Sequence, residues 1–119
     1  MSARTLLVAM DPNDHLSGLG RAHRVALTSI ENGVVGPWDV IEVKWGEAHE
    51  LENEGSHHAR VAKFVRDRGA NEIVASGAGP DMRRMLERLG VRLTLASGPA
   101  RPAVEQLASG PAAKLSTVH

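Results

Sequence analysis

The apolar residues in the first third of this chain fall into runs that are typical of β-strands. Thr5 to Met10 forms an apolar run that ends at Asp11-Pro12, which predicts a central strand covered on both faces. His23 to Ile30 predicts a second strand and Val34 to Trp45 a third, because Asn32-Gly33 between them is a strong hairpin signal. This region is therefore predicted to be an antiparallel meander of three strands.

The pattern changes at the end of the third predicted strand. Apolar and polar residues alternate from Ile41 to Trp45, and Gly36-Pro37 indicates a bulge earlier in that strand. Gly46 to Gly55 is polar and has no hydrophobic period, so it is predicted to be an exposed loop. Ser56 suits the N-cap of a helix that ends at Gly69. The apolar face of this helix consists of Val61, Phe64 and Val65.

The stretch from Ile73 to Gly90 has the strongest pattern in the chain. A short apolar run predicts a strand, which breaks into a glycine loop at Gly77-Ala78-Gly79 and then into a helix. Pro80 suits the first turn of that helix, and Gly90 suits the left-handed residue beyond its end. The helix has apolar residues at the spacing i, i+3, i+4 and i+7, namely Met82, Met85, Leu86 and Leu89.

The predicted elements complete an α/β order. A short strand at Arg92 to Leu95 and a helix from Pro102 to Gly110 give the sequence β-β-β-α-β-α-β-α. This order predicts a ribonuclease-H-like fold: a mixed five-stranded sheet, made of the meander plus parallel βα units, with helices packed on it. We expect one domain over residues 4–110, followed by a flexible tail at 111–119. The tips of the first and fourth strands should then lie side by side.

Composition restricts the chemistry. The chain has no cysteine, which agrees with a reducing compartment and leaves histidine as the main metal ligand. Acidic and basic residues number 14 each, so no broad basic field draws in nucleic acid. The N-terminal apolar run is too short to span a membrane and lacks a signal-peptide pattern. We therefore expect a cytoplasmic protein that binds neither nucleic acid nor membrane.

Three predicted loops carry candidate site residues. The first, residues 13–22, contains Gly20 and Arg21, and it follows Asp11 at the tip of the first strand. The second, residues 46–58, contains three histidines, and the third is the glycine loop. A glycine loop that leads into a helix N-terminus offers backbone N–H groups to an anion, and arginine adds a bidentate charge. The histidines that could bind a metal are His49, His57 and His58.

Each of these features also has a structural alternative. Gly77 and Gly79 could permit a tight turn with positive φ. Arg21 could form an ion pair with Asp11 or Asp14. The histidines could lie in a solvated loop without a function.

Nuclease chemistry is disfavoured. It needs several carboxylates on neighbouring strands and the first helix to hold two metal ions, and the sequence supplies Asp11 alone. A P-loop lysine, a GxSxG motif and an HExxH motif are also absent from the sequence. We therefore expect no enzymatic activity.

The ordered segments together resemble the dinitrogenase iron-molybdenum cofactor biosynthesis family. The resemblance covers residues 4–110 and rests on R-T-L-L-V-A-M-D, G-L-G-R-A, the histidine loop, E-I-V-A-S-G-A-G-P and M-L-E-R-L-G-V-R. That family often has His-Phe-Gly-Arg-Ala in its first loop, whereas residues 18–22 here read Gly-Leu-Gly-Arg-Ala. Whether His15, three residues earlier, replaces that histidine stays open.

The resemblance implies a non-enzymatic nitrogen-fixation accessory protein that binds or carries an iron–sulfur or iron–molybdenum type cluster or its precursor. The expected partners are metallocofactor assembly proteins, and the chain would be a monomer or homodimer. The alternative is a regulatory or interaction module that binds a small anion or nucleotide without metal. The cofactor-binding residues would be Asp11, Gly20, Arg21, Gly77, Ala78 and Gly79, with His49, His57 and His58 as metal ligands.

Overall fold

A computed structural model describes residues 4–46 and 54–117 of the chain. The fold is a mixed α/β domain in which one sheet carries helices on both faces. The strands are β1 (Arg4–Met10), β2 (Arg24–Glu31), β3 (Val34–Val35), β4 (Asp39–Glu42), β5 (Glu72–Ala75) and β6 (Arg92–Leu95). The helices are α1 (Glu54–Arg68), α2 (Pro80–Leu89) and α3 (Ala100–Thr117), with a short 3-10 helix at Leu19–Arg21.

The six strands form one sheet in the order β3-β2-β1-β5-β6, and β4 pairs with β2 as well. β2 is antiparallel to β1, whereas β5 is parallel to β1 and β6 is parallel to β5. Leu7 of β1 stands opposite Leu27 of β2 and Ile73 of β5, which fixes the register at the centre of the sheet. The predicted meander followed by parallel units is therefore confirmed.

β1 is covered on both faces, as its unbroken apolar sequence predicts. Leu7 and Ala9 belong to the core cluster beneath α1 and α2, whereas Leu6 and Val8 belong to the cluster beneath α3. The alternation of side chains along a strand sends successive residues to opposite faces. β1 thus joins two hydrophobic cores into one domain.

The third predicted strand is two strands, so the sheet has six strands and not five. Pro37 has no N–H to donate to the ladder, and the chain leaves the sheet between β3 and β4. Beyond β4, Lys44 has a φ of 52° and Trp45 donates its N–H to Ala22 O at 2.8 Å. The Trp45 side chain is buried in the α1/α2 core, where the alternation from Ile41 placed it.

Two predicted helix ends were wrong. α1 already includes Glu54, so Ser56 lies inside the helix and is not its N-cap. α3 runs from Ala100 to Thr117, past the predicted end near Gly110. The predicted domain limits and tail stay predictions.

The strongest local signals are confirmed. Asn32 and Gly33 have φ values of 54° and 77°, as a tight hairpin of this type requires. α2 begins at Pro80, and Gly90 beyond its end has a φ of 73° and donates to Glu87 O. In both places the backbone adopts a left-handed conformation that glycine tolerates at little cost.

The buried carboxylate of Glu72 connects the parallel strands β1, β5 and β6 near their N-terminal ends. Arg4 of β1 donates two hydrogen bonds to Glu72 of β5, each 3.0 Å long, and Thr94 of β6 donates a third at 3.0 Å. Glu72 is 3% exposed. Burial acts to raise the pKa of Glu72, but the hydrogen bonds from Arg4 and Thr94 outweigh it and hold the pKa below its ordinary value.

Arg4→Ala should destabilise the fold, because it removes two of the hydrogen bonds to a carboxylate that stays buried. We expect the free energy of unfolding in urea to fall by about 2 kcal/mol. Lys63→Ala is the matched control, since it breaks an exposed ion pair with Asp67 and should change stability little. Equal effects of the two substitutions would contradict this account of Glu72.

The same carboxylate should make stability depend on acid. Since the folded pKa of Glu72 is lowered, its stabilisation is complete above the ordinary glutamate range and is lost as pH falls through the lowered folded pKa. Glu72→Gln should therefore flatten the loss of stability between neutral and acidic pH, as measured by urea unfolding at several pH values. If the stability of the variant falls with pH as steeply as that of the wild type, groups other than Glu72 cause the acid dependence.

Candidate functional site

The first loop, the glycine loop and the start of α1 converge on one pocket of about 290 Å³ at the upper end of the sheet. The pocket lies where β5 ends and α2 begins, which is the usual position of ligand sites in open α/β sheets. Its lining residues are Gly18, Leu19, Gly20, Arg21, His57, His58, Gly77, Ala78, Gly79 and Met82.

The floor of the pocket depends on a segment that inserts between two strand tips. Ser17 donates its N–H to Ala9 O at 3.0 Å, and its carbonyl accepts the N–H of Ser76 at 2.8 Å. Leu19 donates to Gly77 O at 2.9 Å. β1 and β5 are paired neighbours as far as Val8 and Val74, as expected, but the first loop lies between their last residues, so the expectation that Asp11 meets the glycine loop was wrong.

Asp11 does not line the pocket. Its Oδ1 accepts the backbone N–H groups of His15 and Asn13 at 3.0 and 2.8 Å, and these bonds hold the pKa of Asp11 below its ordinary value. His15 in turn pairs with Pro99, beside the start of α3. The inserted segment thus separates both residues from the glycine loop, and neither is brought to the pocket.

Gly77 and Gly79 are not required by the backbone geometry of the turn. Neither has a positive φ, and a Cβ added at either position would meet no atom within 4 Å. The alternative that they permit a tight left-handed turn is therefore wrong. Gly20 differs from them, because its Cβ would lie 3.2 Å from His57 Nε2 and 3.3 Å from Met82 Cε.

The glycine loop also places backbone N–H donors at the N-terminus of α2. The first helical hydrogen bond runs from Arg83 N–H to Gly79 O at 2.9 Å. Within residues 4–46 and 54–117, no acceptor is found for the N–H groups of Ala78, Gly79, Asp81 and Met82. Such groups carry the partial positive charge of a helix N-terminus.

His57 holds the first loop against α1. Its ring is 1% exposed, and its Nε2 lies 2.8 Å from Gly20 O. Because a carbonyl can only accept, Nε2 carries the proton and cannot ligate a metal in this arrangement. His57 therefore positions Gly20 and the adjoining Arg21.

His58 is the histidine that is open to the pocket. It is partly exposed, and its ring centroid lies 6.3 Å from that of His57. His49 lies outside the described residues. In the ranges 4–46 and 54–117, no three histidine, aspartate or glutamate side chains come close enough to hold a metal ion.

Arg21 supplies the positive side chain at the pocket. It is exposed, and it pairs with neither Asp11 nor Asp14 in the part of the chain that the structure describes. Asp14 bonds instead to Arg24, at 3.2 Å. The guanidinium of Arg21 is therefore available to an anion.

Sequence reasoning did not predict that Gly18, Leu19 and Met82 line the pocket. Met82 followed the apolar period of α2 and was assigned to the core, and it is indeed 3% exposed. Its place in the first turn of α2, just beyond the glycine loop, is the signal that could have placed it at the pocket. Gly18 and Leu19 gave no such signal, because their position depends on the inserted segment.

The chain belongs to the dinitrogenase iron-molybdenum cofactor family, whose model matches residues 4–110. This match confirms the resemblance found in the sequence. No curated protein sequence matches the chain.

Several solved structures share the fold. The protein PH0822 is 19% identical, with a TM-score of 0.72 and 89% of each chain covered. A candidate dinitrogenase from Methanocaldococcus jannaschii is 14% identical, with a TM-score of 0.66 and 92% of each chain covered. The apo form of the orange protein from Desulfovibrio gigas is 18% identical, with a TM-score of 0.65 over 90% of this chain and 88% of that one. At these identities the likeness shows the fold alone.

Among the described helices, none combines the length and the apolar character needed to cross a bilayer.

His57→Ala should cost stability, whereas His58→Ala should not. Removal of the His57 ring leaves Gly20 O without that donor and opens space in the core, so we expect a loss of about 2 kcal/mol in the free energy of unfolding. His58 is partly exposed, so its truncation should change stability little. Urea unfolding of the two variants measures the difference, and equal stabilities would show that the His57 contact with Gly20 is not structural.

Proposed function

We propose that this protein is a non-enzymatic accessory protein that binds or carries an anionic metal cluster, of the iron–molybdenum type or a precursor, in the pocket at the strand tips. The observation that carries the proposal is the pair of glycines at Gly77 and Gly79. They line the pocket although neither backbone conformation nor packing requires them. Glycine at such positions allows a bulky ligand to approach the backbone closely.

The charges and donors of the pocket suit an anion. The N-terminus of α2 and the guanidinium of Arg21 both favour negative charge, and they lie on the same pocket. Ala78, which lines the pocket and is partly exposed, adds apolar surface. A cluster with several polarisable sulfur atoms would use both kinds of surface.

His58 is the proposed metal ligand, because it lines the pocket and is partly exposed. His57 has a positioning role through Nε2, so it is not included as a proposed ligand. His49 stays a prediction. Asp11 is not part of the proposed site, because it does not line the pocket.

The family supports the accessory role, because it is named for the dinitrogenase iron-molybdenum cofactor. The orange protein was solved in an apo form, which implies that this relative binds a ligand. The strand order, with β5 and β6 parallel to β1, supports a ribonuclease-H-like assignment for the domain. Cofactor-assembly partners and a cytoplasmic location remain part of this proposal.

Gly79→Val should remove ligand binding without unfolding the protein. Its Cβ would meet no protein atom within 4 Å, so the side chain would fill space above the loop that a ligand needs. We expect at least an approximately tenfold loss of affinity, or about 1.4 kcal/mol, for both sulfate and a synthetic thiolate-ligated iron–sulfur cluster. Isothermal titration under anaerobic conditions measures both affinities, and urea unfolding checks the fold.

The two ligands also separate the cluster carrier from a metal-free anion binder. The backbone donors and Arg21 would serve either ligand, and this favours the anion binder as the second candidate. His58→Ala should weaken cluster binding and leave sulfate binding unchanged if the imidazole is a ligand. If His58→Ala changes neither affinity, the metal-free alternative is favoured. If a folded Gly79→Val protein binds both ligands as the wild type does, the glycine loop is only a turn.

A further inference from the structure

A second depression lies next to the pocket, in the groove between α1 and α2. It has a volume of about 380 Å³, and His58 lines both it and the pocket. The groove and the pocket are therefore neighbours that share His58. None of the functions proposed so far uses it.

The groove combines an apolar floor with a rim that is mainly basic. Ala59, Ala62 and Met85 supply the apolar part, whereas Arg84 and Arg88 supply two positive charges and Asp81, the ion-pair partner of Arg84, supplies one negative charge. Arg84 and Arg88 are four residues apart on α2, so they extend from the same side of that helix. Because Ala59 and Ala62 have small side chains, another chain can lie close to this surface of α1.

Charge is distributed unevenly in the molecule. Acidic and basic residues balance over the whole chain, at 14 each. The exposed charged side chains described on α1 and α2 are mostly basic. The basic ones are Arg60, Lys63, Arg66, Arg68, Arg83, Arg84 and Arg88, and the acidic ones are Asp67, Asp81 and Glu87.

Part of this positive charge has no acidic partner among the residues that the structure describes. Arg84 pairs with Asp81, and both side chains are exposed, so the pair is easily exchanged. Arg88 has no carboxylate at ion-pair distance among residues 4–46 and 54–117. A negatively charged group in the groove would therefore meet an available guanidinium.

We propose that the groove between α1 and α2 binds an acidic segment of a partner protein, with carboxylates on Arg84 and Arg88 and apolar side chains on the floor beside Met85. Arginine pairs that flank an apolar groove favour a chain with mixed acidic and apolar residues over a bare anion. The partner would then lie beside the mouth of the pocket. In one respect the inference rests on the proposed function: the partner is a protein that gives or receives the pocket's ligand.

The test uses the full chain and a fluorescently labelled decapeptide of alternating glutamate and leucine. Fluorescence anisotropy at low ionic strength should show binding that weakens as salt is raised to about 0.15 M. The double variant Arg84→Gln/Arg88→Gln should weaken this binding at least about tenfold. The matched control is Arg92→Gln/Arg101→Gln, which makes the same change in net charge at two exposed residues outside the groove. It should weaken binding less than about twofold.

Several outcomes would overturn the inference. Absence of wild-type binding, equal weakening by the two double variants, or tighter binding of a single-stranded DNA decamer would each do so. Loss of peptide binding in the Gly79→Val variant would place the peptide in the pocket and would also overturn it. Gly79→Val separates the two proposals, because it should lose sulfate binding and keep peptide binding. If that variant keeps both, the pocket proposal fails while the groove proposal stands.

Discussion

The insertion of Ser17–Leu19 between the tips of β1 and β5 is the constraint on which the candidate site depends. Its three backbone hydrogen bonds join the first loop to the ends of two strands that would otherwise have adjacent tips. These backbone bonds act together with the hydrogen bond from His57 Nε2 to Gly20 O, which holds the residues that follow. Gly20 and Arg21 reach the pocket for this reason. Asp11 is turned away for the same reason, which removes the one carboxylate that a nuclease-like site would have used.

The two ends of the parallel strands have different tasks. At the lower end, the buried Glu72 accepts hydrogen bonds from strands on either side and thereby fixes the alignment of β1, β5 and β6. At the upper end, the loops leave backbone N–H groups unused and side chains partly exposed, which costs stability but leaves room for a ligand. Because the N-terminal ends of the parallel strands are held rigidly, the loops at their C-terminal ends can form an open pocket.

The helical layer formed by α1 and α2 connects the pocket to the outer surface. His57 and His58 are adjacent in sequence, yet one is buried against Gly20 and the other is partly exposed between the pocket and the groove. One turn of a single helix thus both supports the first loop and borders two neighbouring depressions. A ligand in the pocket and a partner in the groove would therefore both lie beside His58.

Local sequence signals are sufficient to predict several elements of this fold. The run from Thr5 to Met10, the Asn32-Gly33 turn and the capped helix that begins at Pro80 each depend on periodicity or on left-handed backbone positions, which a sequence displays directly. The family resemblance followed from their order. Which residues share the pocket depends on the tertiary fold. The position of the inserted segment and the orientation of His57 are set by hydrogen bonds between parts of the chain that are distant in sequence. Such bonds leave no periodic pattern in the sequence, so the glycine loop could be predicted as part of a pocket, whereas the exclusion of Asp11 and the inclusion of Gly18 and Leu19 could not.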